Sequence, residues 1–186
     1  MLPSALREYL CKIKNQREVL MNPKIITLPS IKLAGYSWQT TIEAEQQDKD
    51  VPKFWNDYYA EGKAKKIWES DIFEKPIAEY GTCLPTTTNE VTYVIGAKVK
   101  DGADIPDDFF TCDLPQATYA VWSVKKENED TFVKNIQATF QHIFNEWFPV
   151  SGYVYGTEGA NFELYTVQDG IVTCDIHIPI IRIKDS

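Results

Sequence analysis

Apolar side chains change their spacing repeatedly along this chain, and each change marks an element. Over 129–147, Phe132, Ile136, Phe140, Ile143, Phe144 and Trp147 return every third or fourth residue, the period of one helix face. Asn128 stands where an N-cap belongs and Pro149 where the helix should stop. A second helix is predicted from Asp50, its cap, with Pro52 in the first turn. Phe54, Trp55, Tyr58 and Tyr59 give it a broad aromatic stripe, and Gly62 ends it. A third helix is predicted over 4–20, capped by Ser4, with Leu6, Leu10, Ile13 and Leu20 near one stripe and Pro23 as its stop. Strand-like stretches fill 24–41, interrupted near Pro29, and then 76–84, 91–99, 109–113, 117–125, 161–168 and 172–183. Gly152, Gly156 and Gly159 mark a loop, and Asp169-Gly170 marks the final hairpin turn.

Two of these stretches read alike. Leu28 to Ser37 matches Leu114 to Ser123 at Leu, Pro, Ala and Ser, and Val91 to Ile95 resembles Val172 to Ile176. Each pair brackets one aromatic-rich helical segment. The element order is therefore a helix followed by β-α-β-β twice. That order predicts an α+β fold: an antiparallel sheet of two related β-α-β-β units with pseudo-twofold symmetry, helices on one face and the other face free. The seam between related halves is a natural ligand groove. Residues 1–21 are expected to form an N-terminal helical extension, either a docking or dimerising arm or a leftover connector. Residues 22–186 form one domain, with halves of about 22–100 and 101–186.

Composition narrows the chemistry. Aromatic residues make up 13% of the chain, more than a core of this size requires, which leaves some to line a cavity. The net charge of −8 opposes a direct nucleic-acid surface; it is compatible with attracting cations and equally with an acidic surface that keeps the protein soluble. Cys11, Cys83, Cys112 and Cys174 are scattered, and only two histidines exist. No zinc or iron–sulfur spacing results, so neither metal nor cofactor is expected, and the cysteines read as apolar fillers. With no signal-peptide pattern and no long apolar run, the expectation is a cytoplasmic protein with no membrane contact. Walker, dinucleotide-binding and Gly-x-Ser-x-Gly motifs are all lacking.

The last hairpin holds the sharpest local signal. Period-two geometry places Phe162 and Leu164 on one face and Glu163 and Tyr165 on the other. In the partner strand, Cys174, Ile176 and Ile178 oppose Asp175 and His177. If the apolar faces meet the helices, the polar residues gather on the uncovered side. There they either meet plain water or floor a cleft walled by aromatics. Such a cleft suits a planar cation, held by ring faces and by a carboxylate counter-charge. Tyr36, Trp38, Tyr80, Tyr93, Trp122 and Tyr165 are candidate walls, and each suits core packing as well. Trp55, Tyr58 and Phe144 lie on helices that need aromatics for closure.

At this point the sequence resembles a family. The run Pro23 to Tyr36 looks like the opening of AraC-type effector-binding domains, also called GyrI-like small-molecule-binding domains. Val51-Pro52-Lys53-Phe54-Trp55, Tyr80-Gly81, Tyr93 to Gly96, Thr118 to Trp122, Trp147 to Gly152, Phe162 to Tyr165 and Asp175 to Pro179 follow in order. The resemblance covers about residues 22–183 and implies the doubled fold and a central small-molecule groove. Multidrug-sensing members hold lipophilic cations between aromatics over a buried Glu, and Glu163 falls on that position. The chain is similar to stand-alone members, some carried on integron cassettes, so a DNA-binding protein would have to come as a partner. The leading expectation is thus a non-enzymatic sensor or sequestering protein for lipophilic cations. Two alternatives follow from other members: a hydrolase of small electrophiles using Glu163 with Tyr80 or Tyr165, and a gyrase-inhibitor-like protein that binds a topoisomerase. Self-association as a homodimer through the N-terminal helix is a further expectation.

Overall fold

A computed structural model describes residues 23–41, 43, 46–86 and 89–183. The helix expected over 4–20 and Cys11 lie outside the described residues. The stretch 24–41 divides at Pro29 into β1 (Lys24–Leu28) and β2 (Ile31–Thr41). These are followed by α1 (Gln47–Ala60), α2 (Lys63–Glu69), β3 (Glu79–Pro85), β4 (Glu90–Lys98), β5 (Phe110–Leu114) and β6 (Ala117–Lys125). Then come α3 (Glu129–His142), a π-turn (Ile143–Trp147), α4 (Phe148–Ser151), β7 (Tyr153–Tyr155), β8 (Phe162–Gln168) and β9 (Ile171–Arg182).

Three expected boundaries move. The first helix begins at Gln47, so Pro52 lies inside it, and Asp50 accepts from Thr40 and Gln46 rather than capping. Gly62, at φ 73°, breaks that helix as expected, but the chain turns at once into the short α2. Asn128 does cap α3, accepting from the Thr131 amide. The helical path then continues through the π-turn past Pro149, which sits in the first turn of α4, where its missing N–H costs nothing. The Gly-rich loop also contains β7.

The sheet runs β1-β6-β9-β8-β3-β4-β2-β5, with β7 also pairing β9, and its strand pairs are antiparallel. The order has the same form read inward from either edge: an edge strand, a long strand, then the two strands of a hairpin. β3 and β8 meet at the centre, Gly81 opposite Glu163. Each side of that seam carries a long helix on the same face. Phe54, Tyr58, Ala64 and Ile67 of α1 and α2 pack on Ala34, Tyr93, Ile95 and Ala97. Phe132 and Ile136 of α3 pack on Ala120, Trp122, Cys174, Ile176 and Ile178. Each buried Ile or Phe in these layers stabilises by about 1.5–3 kcal/mol.

The face away from the helices is not bare. Ile31, Leu33, Tyr80, Leu114, Tyr119, Val121 and Phe162, drawn from strands across the whole sheet, form one buried cluster there. A long twisted sheet curls, and its two ends close over this face.

Candidate functional site

Register explains where the hairpin's polar residues go. Phe162 pairs with His177 and Glu163 with Ile176, and residues directly opposite share a face. Glu163 and Tyr165 therefore stand with Ile176 and Cys174 on the helix side. Phe162, Leu164, Asp175 and His177 stand on the other side. The expectation that Glu163, Tyr165, Asp175 and His177 share an uncovered face is corrected: alternation defines two faces per strand, but only the pairing register says which faces coincide.

Glu163 sits at the foot of the gap between the helices. Its Oε2 accepts from the Tyr165 hydroxyl at 2.8 Å and from the Tyr93 hydroxyl at 3.3 Å. Trp55, on α1, donates its indole N–H to the Tyr93 hydroxyl at 3.0 Å. Tyr165 touches both helices, with ring centroids 4.9 Å from Trp55 and 6.3 Å from Phe132 of α3. Gly81 forms the floor: a Cβ there would lie 2.3 Å from the Tyr93 hydroxyl and 3.2 Å from Trp55 Cζ2. Trp55 and Tyr165 fill this space, so the expected open hollow is occupied by side chains. A concavity of about 480 Å³ lies elsewhere, among Ile25, Ala117, Thr118, Gly156, Pro179 and Arg182.

Electrostatics follow from the packing. Part of Glu163 still meets solvent, yet the apolar surroundings raise its pKa above the usual carboxylate value, and the Tyr165 and Tyr93 hydrogen bonds offset only part of the rise. Burial, reinforced by the Glu163 charge, pushes Tyr93 and Tyr165 well above the ordinary phenol value. The same causes push the Cys83 thiol up to about 12 and hold Cys174 well above its usual value. These thiols stay protonated at neutral pH and act as filler.

With its pKa raised by folding, Glu163 keeps its proton to higher pH in the native chain than in the unfolded one. Stability therefore falls as pH climbs from the ordinary carboxylate range through the raised native value. Cation affinity moves oppositely, since it needs the ionised form. Melting curves across this window should show the fall in the wild type, and Glu163→Gln should lack it.

The remaining expected residues lie elsewhere. Tyr80 packs on Phe162 in the sheet-closed cluster, its phenol pushed up to about 12 by burial. His177 is buried there too, stacked on Phe162 at 4.2 Å, and burial lowers its pKa. Asp175 accepts from Ser123 Oγ at 2.5 Å. Trp122 is core, set edge-on against Trp147. Tyr36 and Trp38 share the helix side but lie out along β2, against Tyr58 and Phe109 and against Phe54 respectively. Phe144 faces outward beside Phe148 and Tyr155. The structure thus brings Glu163, Tyr165, Tyr93 and Trp55 together. It adds Gly81 and Phe132 to them, and sets a second carboxylate, Glu79, held by Tyr58, Tyr59 and Trp68, beside the site rather than in it.

A curled antiparallel sheet with paired helices is the fold of effector-binding proteins. Residues 24–180 match the family described as "Cass2: Integron-associated effector binding protein", and the chain belongs to that family. No curated protein matches the sequence. Among solved structures, SAV2435 bound to tetraphenylphosphonium is similar at TM-score 0.67 and 19% identity, over 87% of this chain and 94% of that one. The integron cassette protein VCH_CASS2 of Vibrio cholerae is similar at TM-score 0.60 and 14% identity, over 86% and 96%. The EcmrR C-terminal domain is similar at TM-score 0.54 and 11% identity, over 87% and 98%. At these identities the structures speak for the fold. No described helix is long and apolar enough to cross a membrane, and no metal-holding group of residues occurs among the described residues.

Proposed function

We propose that this protein binds hydrophobic organic cations in the seam between α1 and α3, with Glu163 as counter-charge, and serves as a sensor or sequestering module. One observation carries the reading. Among the described residues, no Lys or Arg contributes to the Glu163 environment; its hydrogen-bond partners are neutral phenols and its walls are aromatic rings. Such a carboxylate is destabilised by its surroundings and gains when a cation joins it. Trp55, Tyr165 and Tyr93 offer ring faces, each cation–π contact being worth about 0.5–2 kcal/mol. In the free protein Trp55 and Tyr165 occupy the space themselves. A ligand enters by turning Trp55 aside and takes over its contacts, as a pocket in a minor conformation made dominant by its ligand. The tetraphenylphosphonium complex of SAV2435 supports cations as the ligand class.

A thermal-shift screen tests this. Lipophilic cations should raise the melting temperature, with a stabilisation of about 2.7 kcal/mol at a hundredfold excess over Kd, whereas neutral and anionic analogues of the same shape should not. Equal shifts for all three classes would refute the role of charge.

A further inference from the structure

Glu79 is the second carboxylate of the helix side. Strand pairing sets Glu79 opposite Tyr165 and Gly81 opposite Glu163. The two acids are thus diagonal neighbours on one sheet face, their backbone positions about 7–8 Å apart. Glu79 is only 8% exposed. It accepts from Tyr58 at 2.7 Å, from Tyr59 at 2.6 Å and from the Trp68 indole at 3.1 Å. Among the described residues, no Lys or Arg forms an ion pair with it. Three neutral donors take the place of water at this carboxylate.

Its cover is thin. Tyr59 and Trp68 are 49% and 48% exposed, with ring centroids 6.2 Å apart. Tyr59 also stacks on Trp55 at 6.0 Å, and Trp55 touches Tyr165. A continuous chain of ring contacts therefore runs from the Glu163 partner to the solvent-facing rim above Glu79. Large aromatics exposed over a buried acid are costly as plain surface and suit an organic cation.

We infer that Glu79, under its Tyr59–Trp68 rim, is a second cation subsite, and that the protein selects flat aromatic dications whose charges reach both carboxylates. The inference rests on the seam reading above and adds the ligand class. Glu163 holds the inner charge. Trp68 makes the longest of the three bonds to Glu79 and is open to solvent, so it is the donor the outer charge displaces.

Isothermal titration with benzyl viologen and with its monocationic half, N-benzyl-phenylpyridinium, tests it. The wild type should bind the dication about fivefold tighter or more. Glu79→Gln should bring the ratio close to one while leaving the monocation nearly unchanged, and Glu163→Gln should weaken both. If Glu79→Gln does not fold, Trp68→Phe, which keeps a ring at the half-exposed rim but removes the indole donor that competes for Glu79, should raise the dication preference. Equal affinities in the wild type, or a ratio unmoved in the outer-subsite variants, would overturn the inference and leave the seam reading standing. Binding of neither probe would sink both.

Discussion

Glu163→Gln weakens binding of tetraphenylphosphonium about tenfold or more, at least about 1.4 kcal/mol, while the folded protein melts no lower than the wild type at neutral pH. The two halves of this result have one cause. In the free chain the Glu163 charge is opposed by its apolar surroundings, so removing it relieves the native state. In the complex that same charge faces the ligand cation at low effective dielectric, so removing it forfeits the attraction. A loss of binding together with a lower melting point would instead mean that Glu163 holds the fold. Active sites often carry such a trade of stability for binding. Glutamine keeps the shape and still accepts from Tyr165, so the change isolates charge from packing.

Gly81→Val has a still larger effect on binding, of the order of a hundredfold, with a stability loss of about 1–3 kcal/mol from overpacking. The reason lies in the floor of the seam. Even a single Cβ at this position would come within 2.3 Å of the Tyr93 hydroxyl and 3.2 Å of the Trp55 indole. Tyr93 is buried and its ring is rigid, so it cannot yield without breaking its bond to Glu163. The added branch also lifts Trp55, which donates to that hydroxyl. Calorimetry and chemical denaturation separate the two effects. Wild-type affinity in Gly81→Val would show that the ligand sits away from this floor.

Much of this architecture was legible in the chain, and the failures are instructive. Strand periods survive in sequence because one face of each strand must be apolar, and so 117–125, 161–168 and 172–183 correspond closely to β6, β8 and β9. The three-residue β7 and the Lys-rich α2 escaped because neither is long enough to show a period. Glu163 and Tyr165 were visible as a polar pair on one strand face. Their position under the helices was not, because Phe162 and Leu164 looked like the helix-facing residues and only pairing with β9 shows otherwise. The closed second core explains that inversion: Phe162 and Tyr80 had an apolar destination that the alternation of single strands cannot reveal. Trp55 stood among ordinary core aromatics until Tyr93 and Gly81 fixed its place. Glu79 went unnoticed beside Tyr80, although it shares strand parity with Gly81 and so shares a face with Glu163.

The central claim concerns one carboxylate, and its titration is the most direct test. Carbon-13 NMR of the labelled Glu163 carboxyl should show, in the free protein, a pKa above the ordinary carboxylate value. Saturating tetraphenylphosphonium should lower it by about one pH unit or more, the linkage counterpart of a tenfold preference for the charged form. A titration curve that is the same with and without the cation would contradict the account.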